Sequence, residues 1–193
     1  MISGNLEYII SSLPYLSFND TKEYRNHVLS ILEKYYGTSV NEHHLINTLD
    51  QEASKFLAPK AYHLFKQINL SDIHKEIFQQ SSNKFLSEFS KFVFRLKTDL
   101  LELRRSRKNE PESTLSKSDL WGSIPQSPLE AEIHLIKLQW DYLEECSIGH
   151  YADYSALVIY KLKFLLLLRW WSFDQKKGFD NFITISKLAE YGG

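Results

Sequence analysis

The stretch DYSALVIYKLKFLLLLRWWS, residues 153–172, decides the fold because it is apolar on nearly every side when it is drawn as a helix. A soluble protein buries such a helix on all sides. We therefore expect it to be the central helix of a bundle. Its two lysines, Lys161 and Lys163, are predicted to extend their ammonium groups toward solvent or to mark an exposed side.

Two further segments, at about residues 83–108 and 129–146, carry apolar residues at helical spacing. The second follows Ser127 and Pro128, a hydroxyl that can cap a helix and a proline suited to its first turn. Gly149 lies between this helix and the central one, so the two are predicted to form a tight antiparallel hairpin. The predicted inward face of the second helix consists of Leu129, Ile133, Ile136, Trp140 and Leu143.

Shorter helices are predicted elsewhere, at about residues 21–36, from Ser39, from Pro59, and at about 177–190. The opening LEYIIS is compatible with a strand or a helix, and the polar segment 109–128 is predicted to be a loop. The fold class that follows is all-α. We expect one helical-bundle domain over residues 1–193, with about six to eight helices around the long hairpin.

The composition excludes several classes of protein. Lys and Arg total 23 against 24 Asp and Glu, a net charge of −1, so neither a basic excess typical of nucleic-acid binding nor an acidic tail is present. The single cysteine, Cys146, excludes an internal disulfide framework and favours a reducing compartment. We find no basic leader, and no apolar run reaches the ~18 residues of a membrane span. A cytoplasmic protein is expected.

The sequence contains none of the common catalytic motifs: no HExxH pair, no GxSxG elbow, no Walker-type loop and no GxGxxG turn. Its seven histidines lack metal-ligand spacing. Cys146 and His150 are a nucleophile and a base by residue type, but a lone cysteine at a helix end is more often an apolar filler. We expect no catalytic residue, no cofactor and no bound metal.

The most charged feature is a basic run that includes Arg104, Arg105, Arg107 and Lys108. Residues 84–108 carry eight basic and three acidic side chains. Such a run is either a solvated helix end, favoured by the helix dipole, or a docking patch for an acidic protein or a nucleic acid. The five acidic residues of segment 129–146 are expected to neutralise it in part if the two helices are antiparallel neighbours.

The densest aromatic and charged cluster lies between residues 139 and 174. It reads as hairpin packing, although aromatic residues and arginine also form interface hot spots. Because Trp170 and Trp171 are adjacent on a helix, one of them should lie near the surface. The interface candidates are Trp140, Asp141, Tyr142, Gly149, His150, Tyr151, Arg169 and Trp170, together with Arg104, Arg105 and Arg107.

Four pieces of the sequence resemble a bacterial family of unknown function whose genes are commonly found within V-type (A/V-type) ATPase operons. They are SSLPYLSF (11–18), SPLEAE (127–132), WDYLEECSIGHYADYSALVIYKLKFLLLLRW (140–170) and FDQKKGFDNF (173–182). Two positions depart from the family pattern. Ala152 replaces an aromatic residue, and Leu168 replaces an acidic residue that would be an ion-pair partner for Arg169.

The resemblance implies a subunit or assembly factor of a rotary ion-translocating ATPase. The helical hairpins are also similar, at the level of fold, to the funnel-shaped central-stalk subunit that joins the membrane ring to the rotor shaft. The expected partners are V-type ATPase subunits, with no small-molecule substrate and with membrane contact only through the complex, at the inner membrane. Two alternatives stay open. One is a helical nucleic-acid-binding protein that uses Arg104 to Lys108, and the other is a hydrolase centred on His150 with Asp141 or Glu145.

Overall fold

A computed structural model describes residues 6–36, 42–109, 124–125 and 127–173, with the side chains at 32–36, 42–45 and 106–109 outside the description. These residues form eight helices and no strand, which confirms the all-α prediction. The helices are α1 (Leu6–Ser12), α2 (Lys22–Tyr36), α3 (Glu42–Phe56), α4 (Pro59–Gln67), α5 (Glu76–Gln79), α6 (Lys84–Asn109), α7 (Pro128–Ser147) and α8 (Tyr154–Trp171).

The α7–α8 hairpin is antiparallel, as the sequence predicts. Glu144 near the end of α7 pairs with Lys163, while Glu132 near its start pairs with Arg169 at the end of α8. Gly149 turns the chain between the helices with φ of +89°, a conformation that favours glycine. The connection is therefore short and its geometry is fixed.

Helix α8 is the central helix, and its two lysines differ. It packs against α1, α3, α6 and α7, and twelve of its 18 residues are buried. Lys163 is partly buried and pairs with Glu144. The predicted solvent exposure of Lys161 is wrong, because Lys161 is 0% exposed. The tryptophan prediction is confirmed: Trp171 is buried and Trp170 is partly exposed.

Helix α6 also runs antiparallel to α7. Phe92 stacks on Tyr142 near the end of α7, with 4.3 Å between ring centroids, while Arg104 and Glu132 line one groove at the other end of the pair. The Asn83 side chain caps α6 by accepting a hydrogen bond from the Leu86 backbone N–H at 2.8 Å. The stripe that the periodicity of α6 predicts is buried at Phe85, Leu86, Phe89, Val93 and Leu96, whereas Phe92, Leu100 and Leu103 are partly buried.

The N-terminal segment is tied to the end of α8. LEYIIS forms a helix, α1, which settles the strand-or-helix ambiguity. Trp171 Nε1 donates to the Asn19 carbonyl at 3.0 Å, and Arg25 Nη1 donates to the Trp171 carbonyl at 3.0 Å. The Phe18 ring stacks on Trp170 at 4.2 Å between centroids. These contacts hold α2 against the hairpin.

Some details of the helix predictions are wrong, and others lie outside the described residues. The Ser127 side chain makes no capping hydrogen bond, and Leu129 is half-exposed rather than inward, because it lies in the first turn. Most of the 109–128 loop, the Ser39 cap and the predicted last helix at 177–190 lie outside the described residues. Within the described part, no helix is both long enough and apolar enough to cross a membrane.

Candidate interaction groove

A groove of about 490 Å³ lies between α6 and α7, at the end of the pair where α6 finishes and α7 begins. The turn at Leu70 and Ser71 forms one wall, and the end of α8 forms part of the base. The lining residues are Leu70, Ser71, Val93, Leu96, Lys97, Leu100, Leu101, Arg104, Glu132, Leu135, Gln139, Leu166 and Arg169. Two interface candidates, Arg104 and Arg169, are therefore brought to one site.

The groove combines an apolar base with a basic rim. Val93, Leu96, Leu135 and Leu166 are buried in the base, whereas Leu101 is half-exposed. Three cationic side chains line the groove against one carboxylate. An apolar base with charged groups at the edge is the usual anatomy of a protein-binding site. This one favours an acidic partner.

Arg169 has an ion-pair partner that the sequence analysis did not identify. Its Nε lies 2.7 Å from Glu132 Oε1 on α7, so the replacement of an acidic residue by Leu168 leaves the guanidinium paired. The two residues belong to two of the motif pieces quoted above, which α7 and α8 bring together. Because the pair is partly exposed, it contributes at most about 1 kcal/mol to stability.

Lys97 is held over the turn that forms the wall of the groove. Its Nζ lies 2.9 Å from His74 Nδ1 and donates to the Ser71 carbonyl at 3.2 Å. Burial lowers the pKa of His74, and the nearby Lys97 charge lowers it further. Burial also lowers the pKa of Lys97. An uncharged imidazole accepts the ammonium hydrogen bond and fixes this positive charge at the rim.

The structure predicts that His74 makes stability fall on acidification. Asp72, Lys75 and Lys97 surround His74, and its pKa in the folded chain lies below the unfolded value. The unfolded chain therefore binds the proton more readily, so stability begins to fall below about pH 6.5 and is lost as pH falls through the lower pKa of the folded chain. When the pH is lowered from about 7.5 to about 5.5, the melting temperature of His74→Gln should fall by less than that of the wild-type chain. His63→Gln, at an exposed histidine of α4, is the matched control, and equal losses in wild type and His74→Gln would contradict the assignment.

Helix α7 places one of its five acidic residues, Glu132, in the groove with the basic end of α6, which agrees with the expected partial neutralisation. Glu132 pairs with Arg169 within the groove, whereas Glu144 and Asp141, which do not line it, pair with Lys163 and Lys137. Arg104 and Arg105 are exposed. The side chain of Arg107 lies outside the described residues. The rim of the groove thus keeps its positive character.

Two of the three candidates on α7 have packing roles, and the third forms an ion pair within the helix. Trp140 is 2% exposed, its ring centroid lies 5.5 Å from that of Phe18, and Lys163 Nζ lies over its indole ring. Because it is buried, Trp140 supports the core and does not contact a partner directly. Tyr142 stacks on Phe92, and burial raises the pKa of its hydroxyl to about 12. Asp141 forms the ion pair with Lys137.

The remaining candidates lie at the turn of the hairpin or next to it. His150 Nδ1 lies 2.6 Å from Asp153 Oδ2, so its partner is Asp153 rather than Asp141 or Glu145. The Cys146 thiol is hydrogen-bonded to Tyr142, and burial raises its pKa, which disfavours a reactive thiolate. Within the described residues, no group of three side chains suited to a metal ion comes together. The hydrolase alternative stays an untested prediction.

Sequence reasoning missed one buried charged cluster. Lys161 Nζ lies 2.6 Å from Asp50 Oδ1, donates to the Phe65 carbonyl at 2.9 Å and sits 4.5 Å from the Phe65 ring centroid. Burial lowers the pKa of Lys161 and raises that of Asp50. The signal was present on α3, where Asp50 lies four residues after Ile46 and three before Ala53, inside the apolar stripe.

Comparison with known proteins gives a family match over the C-terminal half of the chain. No curated protein and no solved structure matches the chain. Residues 98–192 contain all of α7 and α8 and the last turns of α6, and therefore most of the groove and the whole hairpin turn. This segment, just under half of the chain, matches a protein-family model described as "Protein of unknown function (DUF2764)".

Proposed function

We propose that this chain is a non-catalytic accessory, central-stalk or assembly component of a V-type ion-translocating ATPase. It acts through protein–protein contacts, and the groove between α6 and α7 binds an acidic, amphipathic segment of an ATPase subunit. No cofactor and no small-molecule substrate takes part. The chain lies in the cytoplasm, peripheral to the inner membrane through the complex.

The observation that carries the proposal is the groove with its apolar base and its three cationic side chains. An amphipathic helix places apolar residues at i, i+3, i+4 and i+7, which suits a groove with an apolar base between two helices. Lys97 is fixed by His74 and Ser71, and Arg169 by Glu132, so two of the three cations are already positioned before a partner arrives. Preorganised contacts lower the entropic cost of binding.

The resemblance of the sequence to proteins encoded in V-type ATPase operons supplies the identity of the proposed partner. Its most specific piece, WDYLEECSIGHY at 140–151, supplies the end of α7 and the hairpin turn. The two motif pieces that contain Glu132 and Arg169 form the ion pair at the groove. The quoted motifs therefore supply the hairpin turn and the Glu132–Arg169 side of the groove, while Lys97 and Arg104 lie outside them.

Isolation of the ATPase from the native cells tests the proposal. An affinity tag on the chain should recover the detergent-solubilised ATPase, or an assembly intermediate of it. The recovered subunits should remain bound after washing at moderate salt. Absence of ATPase subunits from the tagged chain at every stage of assembly would contradict the proposed function. Retention on a nucleic-acid column that falls steeply with salt would favour the nucleic-acid alternative instead.

A charge reversal on α6 tests the groove itself. The double variant Lys97→Glu/Arg104→Glu should lower recovery of the ATPase by about tenfold, because it turns the rim acidic and repels an acidic partner. The matched control is Lys91→Glu/Arg95→Glu, which changes the same two residue types at exposed positions of the same helix that do not line the groove. Equal recovery with the two double variants, each checked for an unchanged melting temperature, would contradict the groove assignment.

A further inference from the structure

The turn of the hairpin presents two large apolar side chains to solvent. Ile148 is 80% exposed and Tyr151 is 76% exposed, and the residues between and beside them, Gly149 and Ala152, are exposed as well. We refer to residues 148–152 as the hairpin tip. Single exposed apolar residues are common on proteins, but here two large ones lie three positions apart on one turn.

The backbone of the hairpin tip is fixed by hydrogen bonds on both sides. The Ile148 N–H donates to the Glu145 carbonyl at 3.4 Å, and the His150 N–H donates to the Ser147 carbonyl at 3.0 Å. Asp153 holds the other side: its Oδ2 lies 2.6 Å from His150 Nδ1, and its Oδ1 accepts from the Ala156 N–H at 2.8 Å, which caps α8.

The hydrogen-bonded backbone of the hairpin tip favours binding of a partner to its two exposed apolar side chains. The backbone that carries Ile148 and Tyr151 is already ordered, so little conformational entropy is lost when a partner covers them. Tyrosine is among the residues that most often dominate interface energies, since it buries a large rigid ring and keeps a hydroxyl for the rim.

The charges around the hairpin tip define the chemistry of its partner. Glu144, Glu145 and Asp153 flank it; Lys163 pairs with Glu144, and His150 contacts Asp153. Glu145 is exposed. A surface that covers Ile148 and Tyr151 therefore meets a negative rim, and lysine or arginine at its edge complements that rim.

We infer that the hairpin tip is a second docking surface, which inserts Ile148 and Tyr151 into an apolar pocket edged by lysine or arginine on a V-type ATPase subunit. The inference rests on the proposed function and goes beyond it, because the hairpin tip lies at the opposite end of α7 from the groove and has the opposite charge. The groove takes an acidic partner segment, and the hairpin tip takes a basic one.

Site-specific photocrosslinking in cells that contain the ATPase tests the inference. A photoreactive phenylalanine analogue in place of Tyr151 of the full chain should crosslink to one ATPase subunit. The same analogue in place of Tyr8, which is 70% exposed on α1, is the matched control and should not crosslink to that subunit. Crosslinks from position 151 only to other copies of this chain would overturn the inference.

A set of exposed-residue variants supplies a readout that does not depend on crosslinking. Ile148→Ser/Tyr151→Ser should lower recovery of the ATPase by about tenfold, while Ile77→Ser/Tyr8→Ser, with the same residue types on α5 and α1, should leave it unchanged. Glu145→Lys should lower recovery more than Glu145→Gln. All these side chains are exposed, so the melting temperature should stay at the wild-type value.

The outcomes separate the two proposals. If the wild-type chain recovers the ATPase, but position 151 gives no crosslink to an ATPase subunit and the double variant at the hairpin tip recovers as much as its control, the inference is wrong and the proposed function stands. If the wild-type chain recovers no ATPase subunit, both are wrong.

Discussion

Replacement of Lys161 by alanine is expected to lower the free energy of unfolding by about 3–5 kcal/mol, because it leaves the Asp50 carboxylate buried without its cationic partner. The Phe65 carbonyl loses a donor in the same step. Urea denaturation followed by circular dichroism measures the change, which should appear as a lower midpoint with an unchanged m-value.

A double variant distinguishes the cost of an unpaired charge from the worth of the pair. Lys161→Met/Asp50→Leu should recover most of the lost stability, since an apolar pair of similar volume avoids the desolvation of two ions. The pKa directions agree with this, because burial outweighs the attraction of the partner at both residues. Lys163→Ala, at a lysine of the same helix whose partner Glu144 is partly exposed, should cost less. Equal losses for the two lysines would contradict the burial of Lys161.

Trp140→Ala is expected to cost about 3–5 kcal/mol, as truncation of a large buried aromatic residue does. The indole fills the space between Phe18 and Lys163, so its removal leaves a cavity that links the N-terminal segment to the hairpin. The same denaturation experiment measures the loss, and Trp140→Phe should recover a large part of it.

The neighbouring Trp170 supplies the control for this second prediction. It is partly exposed and stacks on the same Phe18 ring, so Trp170→Ala should cost less than Trp140→Ala. A melting temperature that hardly changes in Trp140→Ala would place that residue at a surface and restore it as a direct interface candidate.

The sequence was sufficient to predict the hairpin and most of the core. Apolar spacing in 83–108 and 129–146 reflects one-sided burial, and the nearly continuous apolar run in 153–172 reflects burial on all sides. Gly149 marks the turn because its positive φ disfavours other residues. These features are local, so each can be recognised within a single stretch of the sequence. The single-domain boundary at residues 1–193 stays a prediction.

The pairings between distant segments could not be predicted in this way. Asp50 and Lys161 are 111 positions apart, and Glu132 and Arg169 are 37 apart, so only the packing of α3 and α7 against α8 shows that they meet. The same holds for the groove, which draws its lining from α6, α7, α8 and the turn at Leu70. A lysine in an apolar helix is compatible with either snorkelling or a buried partner, and the local sequence does not distinguish the two.

The antiparallel course of α7 and α8 has a mechanical consequence. Because α7 is continuous, its rise of about 1.5 Å per residue puts Glu132 and Ser147 about 22 Å apart. Helix α8 runs back along that distance and packs against α7 through buried side chains of both helices. The hairpin is thus a rigid element of fixed length. A displacement applied at one end is transmitted to the other end, whereas a flexible linker would absorb part of it.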